Sequence, residues 1–142
     1  ERNTIMRRMI KKYAEEGMPI YAECGGLMYL TKSISFGKKK YKMVGLFDAE
    51  TQMTKKMTLN YTEGRITSSC LVSGPAKFRA HEFHYSKIGN LARDAKLVYD
   101  LKIGEGISGK KDALSEYNTL ASYCHLYFDS AKYATKLVSK RV

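Results

Sequence analysis

Apolar residues recur at helical spacing at the start of the chain. Ile5, Met9 and Tyr13, joined by Met6 and Ile10, form one stripe, which predicts an amphipathic helix that buries that stripe. Arg7, Arg8, Lys11 and Lys12 fall mostly off it. Asn3 or Thr4 can cap the helix, Gly17 suits its end, and Pro19 enforces the stop. Segment 19–23 then carries Ile20-Tyr21-Ala22, a short apolar run that predicts a strand buried on both faces. Glu23-Cys24-Gly25-Gly26 closes the strand, and Leu27-Met28-Tyr29-Leu30 opens another helix-like segment. Helix, strand, elbow and helix are the repeating parts of an α/β sheet.

From about residue 40 to about 110 the pattern changes to alternation. Met57-Thr58-Leu59-Asn60-Tyr61 alternates apolar and polar positions, as do Leu97, Tyr99, Leu101 and Ile103 with their neighbours. Glu63-Gly64, Ser73-Gly74-Pro75 and Gly104-Glu105-Gly106 read as turns between such runs. The prediction is a mostly antiparallel β extension in the middle of the chain, with 104–112 as a polar loop or hairpin tip. Segment 118–123 reads as a further strand. Asp129 or Ser130 can cap a final helix carrying Ala131, Ala134, Leu137 and Val138. An open α/β sheet normally has several strand–helix units before a nucleophile-bearing strand, yet one helix precedes it here. The chain also begins Glu1-Arg2-Asn3-Thr4. Residues 1–142 are therefore expected to form one domain that is incomplete at its N-terminus.

Composition narrows the partners. The 142 residues, 44% of them hydrophobic, suit one buried core. No apolar run approaches the ~20 residues that a membrane-spanning helix needs, so no membrane partner is expected. Lys and Arg number 25 against 14 Asp and Glu, a formal charge of +11. These cations are dispersed in pairs and short runs, without a helix-turn-helix, zinc-finger or aromatic–basic signature, and no nucleic-acid partner is expected. Three cysteines without paired spacing fit a reducing compartment better than a disulfide framework.

The elbow carries the candidate chemistry. A cysteine beside a tight turn is ordinarily a small buried hydrophobe. At the end of a strand, before two glycines and a helix, Cys24 can instead project above the carboxyl edge of the sheet, where α/β proteins place their ligands. The helix N-terminus would favour its thiolate, and the Gly25 N–H would face an oxyanion formed on a substrate carbonyl. A nucleophilic cysteine needs a base. His125 follows the apolar strand Leu120-Ala121-Ser122-Tyr123-Cys124, and two parallel strands would bring Cys24 and His125 to one edge. A plain strand-terminal histidine is the competing reading. In Phe78-Arg79-Ala80-His81-Glu82-Phe83-His84-Tyr85 a regular strand would put Glu82 and His84 on one face and His81 on the other. That spacing suits no strand-borne metal site, so no metal ligands are assigned. By the same alternation Cys124 belongs to the core if His125 faces the edge, and Cys70 is most simply core as well.

Three separated blocks resemble a known family. They are Ile20-Tyr21-Ala22-Glu23-Cys24-Gly25-Gly26-Leu27-Met28-Tyr29-Leu30, Ala80-His81-Glu82-Phe83-His84-Tyr85-Ser86 and Leu120-Ala121-Ser122-Tyr123-Cys124-His125-Leu126-Tyr127-Phe128. Together they are similar to the glutamine amidotransferase domain of cobyrinic acid a,c-diamide synthases, a branch of the class I amidotransferases. Val44-Gly45-Leu46-Phe47 and Gln52-Met53-Thr54 fit the same family. The resemblance implies a flavodoxin-like α/β fold and a C-terminal position behind an ATP-dependent ligase domain. The first strands and a Gly-rich loop with a second oxyanion donor would then lie before Glu1.

The resemblance also implies that Cys24 attacks the glutamine side-chain amide, that His125 transfers protons, and that Gly25 supplies one oxyanion donor. The ammonia released would amidate two carboxylates of a corrin precursor in cobalamin biosynthesis, in the cytoplasm. Its partners are glutamine, the ligase domain of the same polypeptide and, through that domain, the corrin acceptor. These 142 residues would need no cofactor, while the full-length enzyme would use ATP and Mg. Many class I relatives place a Glu two residues after the catalytic His; here that residue is Tyr127. Glu82 is the candidate orienter of His125, and His81 and His84 are candidate orienters or substrate-side residues. The alternatives are a related amidotransferase acting on another tetrapyrrole or acceptor, and a fragment that keeps the fold without turnover.

Overall fold

A computed structural model describes residues 2–68, 70–71 and 77–127. The helix expected at Asp129 or Ser130 and the turn expected at Ser73-Gly74-Pro75 lie outside the described residues. The elements run α1 (Thr4–Glu15), β1 (Ile20–Glu23), α2 (Gly25–Leu30), β2 (Ser33–Phe36), β3 (Lys39–Lys42), β4 (Glu50–Ile66), β5 (Lys77–Gly89), β6 (Leu97–Ile103), β7 (Lys111–Glu116), β8 (Thr119–Ser122) and β9 (His125–Leu126). The strands form one sheet in the order β1-β8-β7-β6-β4-β2-β3, with β5 paired to β4 and β9. The pairs β1/β8 and β2/β4 are parallel. Those joining β2 to β3, β4 to β5 and β6, β5 to β9, β6 to β7 and β7 to β8 are antiparallel. The expected α/β architecture with a largely antiparallel middle is therefore present.

The β1/β8 pair fixes the site. Its register sets Ile20 against Thr119 and Glu23 against Ser122, so both strands deliver their next residues at the same end of the sheet. β8 is buried at every position. β1 is only half-buried throughout, short of the two-sided burial its apolar run predicts, because it is the outermost strand beside β8.

α1 departs from its pattern in an instructive way. The Asn3 side chain accepts from the Met6 N–H at 2.9 Å, the predicted cap. The stripe of Ile5, Met9 and Tyr13 is nonetheless exposed, Ile5 by 73%. The helix rests instead on Arg7, Ile10, Lys11 and Ala14, which are one edge at i, i+3, i+4 and i+7. Arg7 donates to the Met43 carbonyl and Lys11 to the Gly45 carbonyl, each at 3.0 Å, while Ala14 is fully buried. Lys and Arg stems cover apolar surface while their heads find carbonyls, so the edge that docks is the one apolar periodicity ranks second.

Gly64 gives a second correction. Glu63-Gly64 reads as a turn in sequence but lies inside the 17-residue β4. A Cβ on Gly64 would fall 2.7 Å from Phe78 Cζ and 2.8 Å from the Asp100 carbonyl oxygen. The register of β4 on β6 also shifts between Glu63 and Gly64. The glycine is there for close approach at a bulge, a standard use of glycine inside strands. Gly104-Glu105-Gly106 does form the predicted turn, with φ +127° at Gly104 and +67° at Gly106.

Two apolar clusters flank the sheet. Ala14, Leu27, Leu30, Leu46, Phe47 and Tyr123 belong to one, and Ile66, Phe78, Tyr99, Leu101, Leu120 and Cys124 to the other. Asp112 of β7 is fully buried between them and the exit of β8. Its carboxylate accepts from the Tyr123 N–H at 3.1 Å and the Cys124 N–H at 2.9 Å. Burial pushes this carboxyl up, and the backbone N–H bonds pull it back.

Replacing Asp112 by Ala strands two buried N–H groups and opens a small void. Asp112→Ala is expected to lower unfolding stability by about 2–4 kcal/mol, read from the urea midpoint. An unchanged midpoint would show that water replaces the carboxylate without cost.

Candidate active site

Cys24 is the hinge between β1 and α2. It is not a glycine, yet it holds φ 46° and ψ −101°, a sparsely populated conformation that costs of order 1–3 kcal/mol and persists only where surroundings impose it. Here the Cys24 N–H donates to the Ser122 carbonyl at 2.7 Å, extending the β1/β8 ladder by one step. The Cys24 carbonyl accepts from the Met28 N–H at 3.0 Å, starting the helix. The two glycines divide the steric work. A Cβ on Gly26 would lie 2.9 Å from Ala22 Cβ, so position 26 must be bare for the helix to fold back on β1. A Cβ on Gly25 would meet nothing within 4 Å apart from its chain neighbours, so no packing demand falls on position 25.

The Cys24 thiol is half-buried and donates to the Phe83 carbonyl of β5 at 3.4 Å. Burial pushes this thiol up, the Gly25 N–H pulls it down, and the negative charge of Glu23 pushes it up again. The expected thiolate at the helix N-terminus is not what this environment favours. α2 has only six residues, and partial burial outweighs the single N–H aimed at the sulfur.

His125 opens β9 and pairs with His81 of β5, two residues along that strand from Phe83. Nucleophile and base candidates therefore both lie against β5, as the parallel pairing of β1 and β8 predicts. The rings of His81 and His125 stack with centroids 4.7 Å apart and 9° between planes. On the other side of the imidazole, Nδ1 lies 3.3 Å from Glu23 Oε2. Glu23 Oε1 accepts from the Tyr21 hydroxyl at 2.6 Å and from the Leu126 N–H at 2.9 Å.

Glu82, the expected candidate orienter, does not reach His125. It is fully buried on the inward face of β5, and its carboxylate accepts from the Glu105 N–H at 3.0 Å and the Gly106 N–H at 2.6 Å. Strand alternation excludes it, since His125 pairs with the outward His81. Glu82 instead fastens the Gly104–Gly106 turn to the sheet. His84 is also inward and buried; Nδ1 donates to the Ser86 carbonyl at 3.0 Å, and the ring stacks on Tyr123 with centroids 3.7 Å apart. Thus Cys24 and His125 both lie against β5, with His125 stacked on His81, while Glu82 and His84 occupy the inward face of that strand. The carboxylate that meets His125 is Glu23, to which the sequence pattern assigns no role. The available signal was its place beside the nucleophile, at the end of a strand parallel to the one leading to the histidine.

Among the described residues, Glu82, Asp112 and Cys124 hold potential ligand atoms within 4.8 Å of one another. The four backbone N–H groups bound to the two carboxylates already occupy them. Cys124 is fully buried, as predicted for a core residue, and burial pushes its thiol far up. That chemistry is a buried hydrogen-bonded fastening, poorly suited to a cation. Cys70 is half-buried against the second apolar cluster. No helix among the described residues is long and apolar enough to cross a membrane.

Comparison with known proteins bears on the family and the fold. Residues 1–133 match the CobB/CobQ-like glutamine amidotransferase domain. The chain is 47% identical over 133 residues to a cobyrinate a,c-diamide synthase of Sulfurisphaera tokodaii, covering 93% of this chain and 30% of that protein. It is 40% identical over 141 residues to the Methanosarcina barkeri protein of the same name, covering 89% and 28%. The chain thus spans about 30% of the length of these relatives. Among solved structures, PurLQS from Thermotoga maritima superposes with a TM-score of 0.71 at 14% identity, covering 95% of this chain and 68% of that one. A GMP synthase subunit from Thermoplasma acidophilum gives 0.56 at 17% identity, covering 93% and 64%. These two likenesses show the fold, the flavodoxin-like α/β architecture of glutamine amidotransferases.

Because the thiolate is the form that alkylates, a thiol pushed up by burial reacts slowly at neutral pH. The rate of iodoacetamide modification at Cys24, followed by peptide mass spectrometry, is expected to rise with pH about a midpoint above that of a free cysteine. A midpoint below the free value would overturn this account of the resting sulfur.

Proposed function

The chain belongs to the CobB/CobQ-like glutamine amidotransferase domain family, and from that premise we propose that it hydrolyses glutamine to supply ammonia within an ATP-dependent cobyrinate a,c-diamide synthase. The observation that carries the reading is the strained Cys24 elbow on β1, joined to the strand that leads to His125. In this mechanism His125 takes the thiol proton as the Cys24 sulfur attacks the side-chain carbonyl carbon of glutamine. The carbonyl oxygen becomes an oxyanion that the Gly25 N–H receives. His125 returns the proton to the departing nitrogen, and ammonia leaves a glutamyl thioester on Cys24. Water then adds to the thioester carbonyl, giving up a proton to His125. The thiol re-forms as glutamate departs.

Gly25 is exposed, and a Cβ there would meet nothing beyond its chain neighbours, which supports an open approach for a substrate amide. Strain at Cys24 also supports the reading, because sparsely populated backbone conformations concentrate at functional sites. In this reading the ammonia amidates two carboxylates of a corrin acceptor, bound by a synthetase domain of the same polypeptide that uses ATP and Mg. The reaction is assigned to the cytoplasm. The relatives' names support the acceptor.

The protein as encoded is expected to hydrolyse glutamine, and Cys24→Ala to lower kcat by roughly a thousandfold or more. The glutamine-like electrophile diazo-oxo-norleucine is expected to label Cys24 stoichiometrically. Glutamate release that survives Cys24→Ala would overturn the assignment.

A further inference from the structure

We propose that Glu23, the residue immediately before the nucleophile, is the positioning residue that holds His125 in its working tautomer. This inference rests on the Cys24–His125 reading above and adds a third participant to it. The position two residues beyond the histidine holds Tyr127, whose side chain is 63% exposed. Glu23 approaches the imidazole from the opposite strand, with Oε2 at 3.3 Å from Nδ1. A carboxylate accepts only, so the nitrogen that faces it carries the proton. Nε2 is then the nitrogen left with a lone pair, free to take the thiol proton.

The second oxygen explains why this contact is built rather than incidental. Oε1 is fixed by the Tyr21 hydroxyl at 2.6 Å, from the same strand, and by the Leu126 N–H at 2.9 Å, from the residue that follows the histidine. One carboxylate therefore grips both the side chain of His125 and the backbone beside it. The Glu23 side chain is 21% exposed and that of His125 is 30% exposed, so the pair is partly shielded from water. A surface ion pair between long, mobile side chains contributes little. Here the carboxylate is anchored through two hydrogen bonds to Oε1, which leaves Oε2 turned toward the imidazole. His81, stacked on the ring at 4.7 Å, limits rotation of the imidazole out of this contact. Nucleophile and orienter are consecutive residues, so any movement of β1 carries both.

The test uses the protein as encoded, with steady-state glutamine hydrolysis and nitrogen-15 NMR of the His125 ring. The wild-type resonances are expected to report a proton on Nδ1, slow to exchange with water. Glu23→Gln is expected to lower kcat by roughly a hundredfold or more, as when a histidine loses its orienting carboxylate, with KM for glutamine within about threefold. Its unfolding midpoint should stay near wild type and the Nδ1 proton signal should be lost. Glu23→Asp should recover part of the rate, and Tyr21→Phe should fall between Glu23→Gln and wild type.

If Cys24→Ala and His125→Asn abolish turnover while Glu23→Gln leaves kcat within twofold, Glu23 has no positioning role and the glutaminase reading stands. If Cys24→Ala leaves turnover intact, the reading itself fails and the inference with it. Should Glu23→Gln not fold, the wild-type spectrum still decides: a resting His125 protonated on Nε2 alone overturns the proposal.

Discussion

The parallel pairing of β1 with β8 is the constraint on which the rest of the site depends. Its four register pairs end at Glu23 and Ser122, and the ladder is carried one step further by the Cys24 N–H on the Ser122 carbonyl. That last hydrogen bond forces the chain to turn into α2 at the cysteine itself, which accounts for the positive φ at a residue with a side chain. The exit from β8 is fastened just as firmly. Asp112 binds the N–H groups of Tyr123 and Cys124, and the Ser122 hydroxyl donates to the Cys124 carbonyl at 2.8 Å. Both chains therefore leave the strand pair along fixed paths, one toward the sulfur and the other toward β9 and the imidazole. Precision of this kind comes from strands and their backbone fastenings, which hold geometry better than loops do.

Buried carboxylates recur in this fold because backbone groups at turns need acceptors. Asp112 and Glu82 are each fully buried, and each accepts two backbone N–H groups. Asp112 secures the turn between β8 and β9, and Glu82 the turn at 104–106. An unsatisfied buried N–H costs about 1–3 kcal/mol, so four satisfied at once are a substantial part of what keeps two tight turns folded. Seen this way, Glu82 contributes to the site indirectly, through the strand that also bears His81 and Phe83.

Much of the arrangement is legible in the residues, and the failures share a cause. The Glu-Cys-Gly-Gly elbow, the strand before it and the strand before His125 all follow from local pattern. Alternation along β5 correctly separates His81 from Glu82 and His84, because side-chain direction in a strand is a local property. What local pattern does not contain is the identity of a neighbour across the sheet. Glu82 and Glu23 are both carboxylates close in sequence to candidate residues. Only the pairing of β1 with β8 and of β9 with β5 decides which of them meets His125. α1 and Gly64 illustrate the same limit. Apolar spacing marks Ile5, Met9 and Tyr13 as the docking stripe, but carbonyls at Met43 and Gly45 reward the edge that bears Arg7 and Lys11. A glycine that permits close approach to Phe78 is indistinguishable, before the fold is known, from one that permits a turn.

The charge of Glu23 gives the site a logic that neither Cys24 nor His125 has alone. It pushes the neighbouring thiol up, adding to the effect of burial, and so opposes a free thiolate in the resting protein. The same carboxylate faces Nδ1 of His125, which leaves Nε2 as the nitrogen that would take the thiol proton in the proposed cycle. Loss of that proton to solvent would leave two negative groups side by side. Transfer to His125 would set a positive ring beside the Glu23 carboxylate. Any charge interaction between these groups would strengthen where a bound substrate excludes solvent and lowers the effective dielectric. A thiol pushed up by burial carries less of the thiolate, the form through which alkylation and oxidation proceed. In the proposed cycle the nucleophile would then be generated anew at each turnover. On that reading a fixed tautomer at His125 would matter more than it would beside a cysteine already ionised at rest.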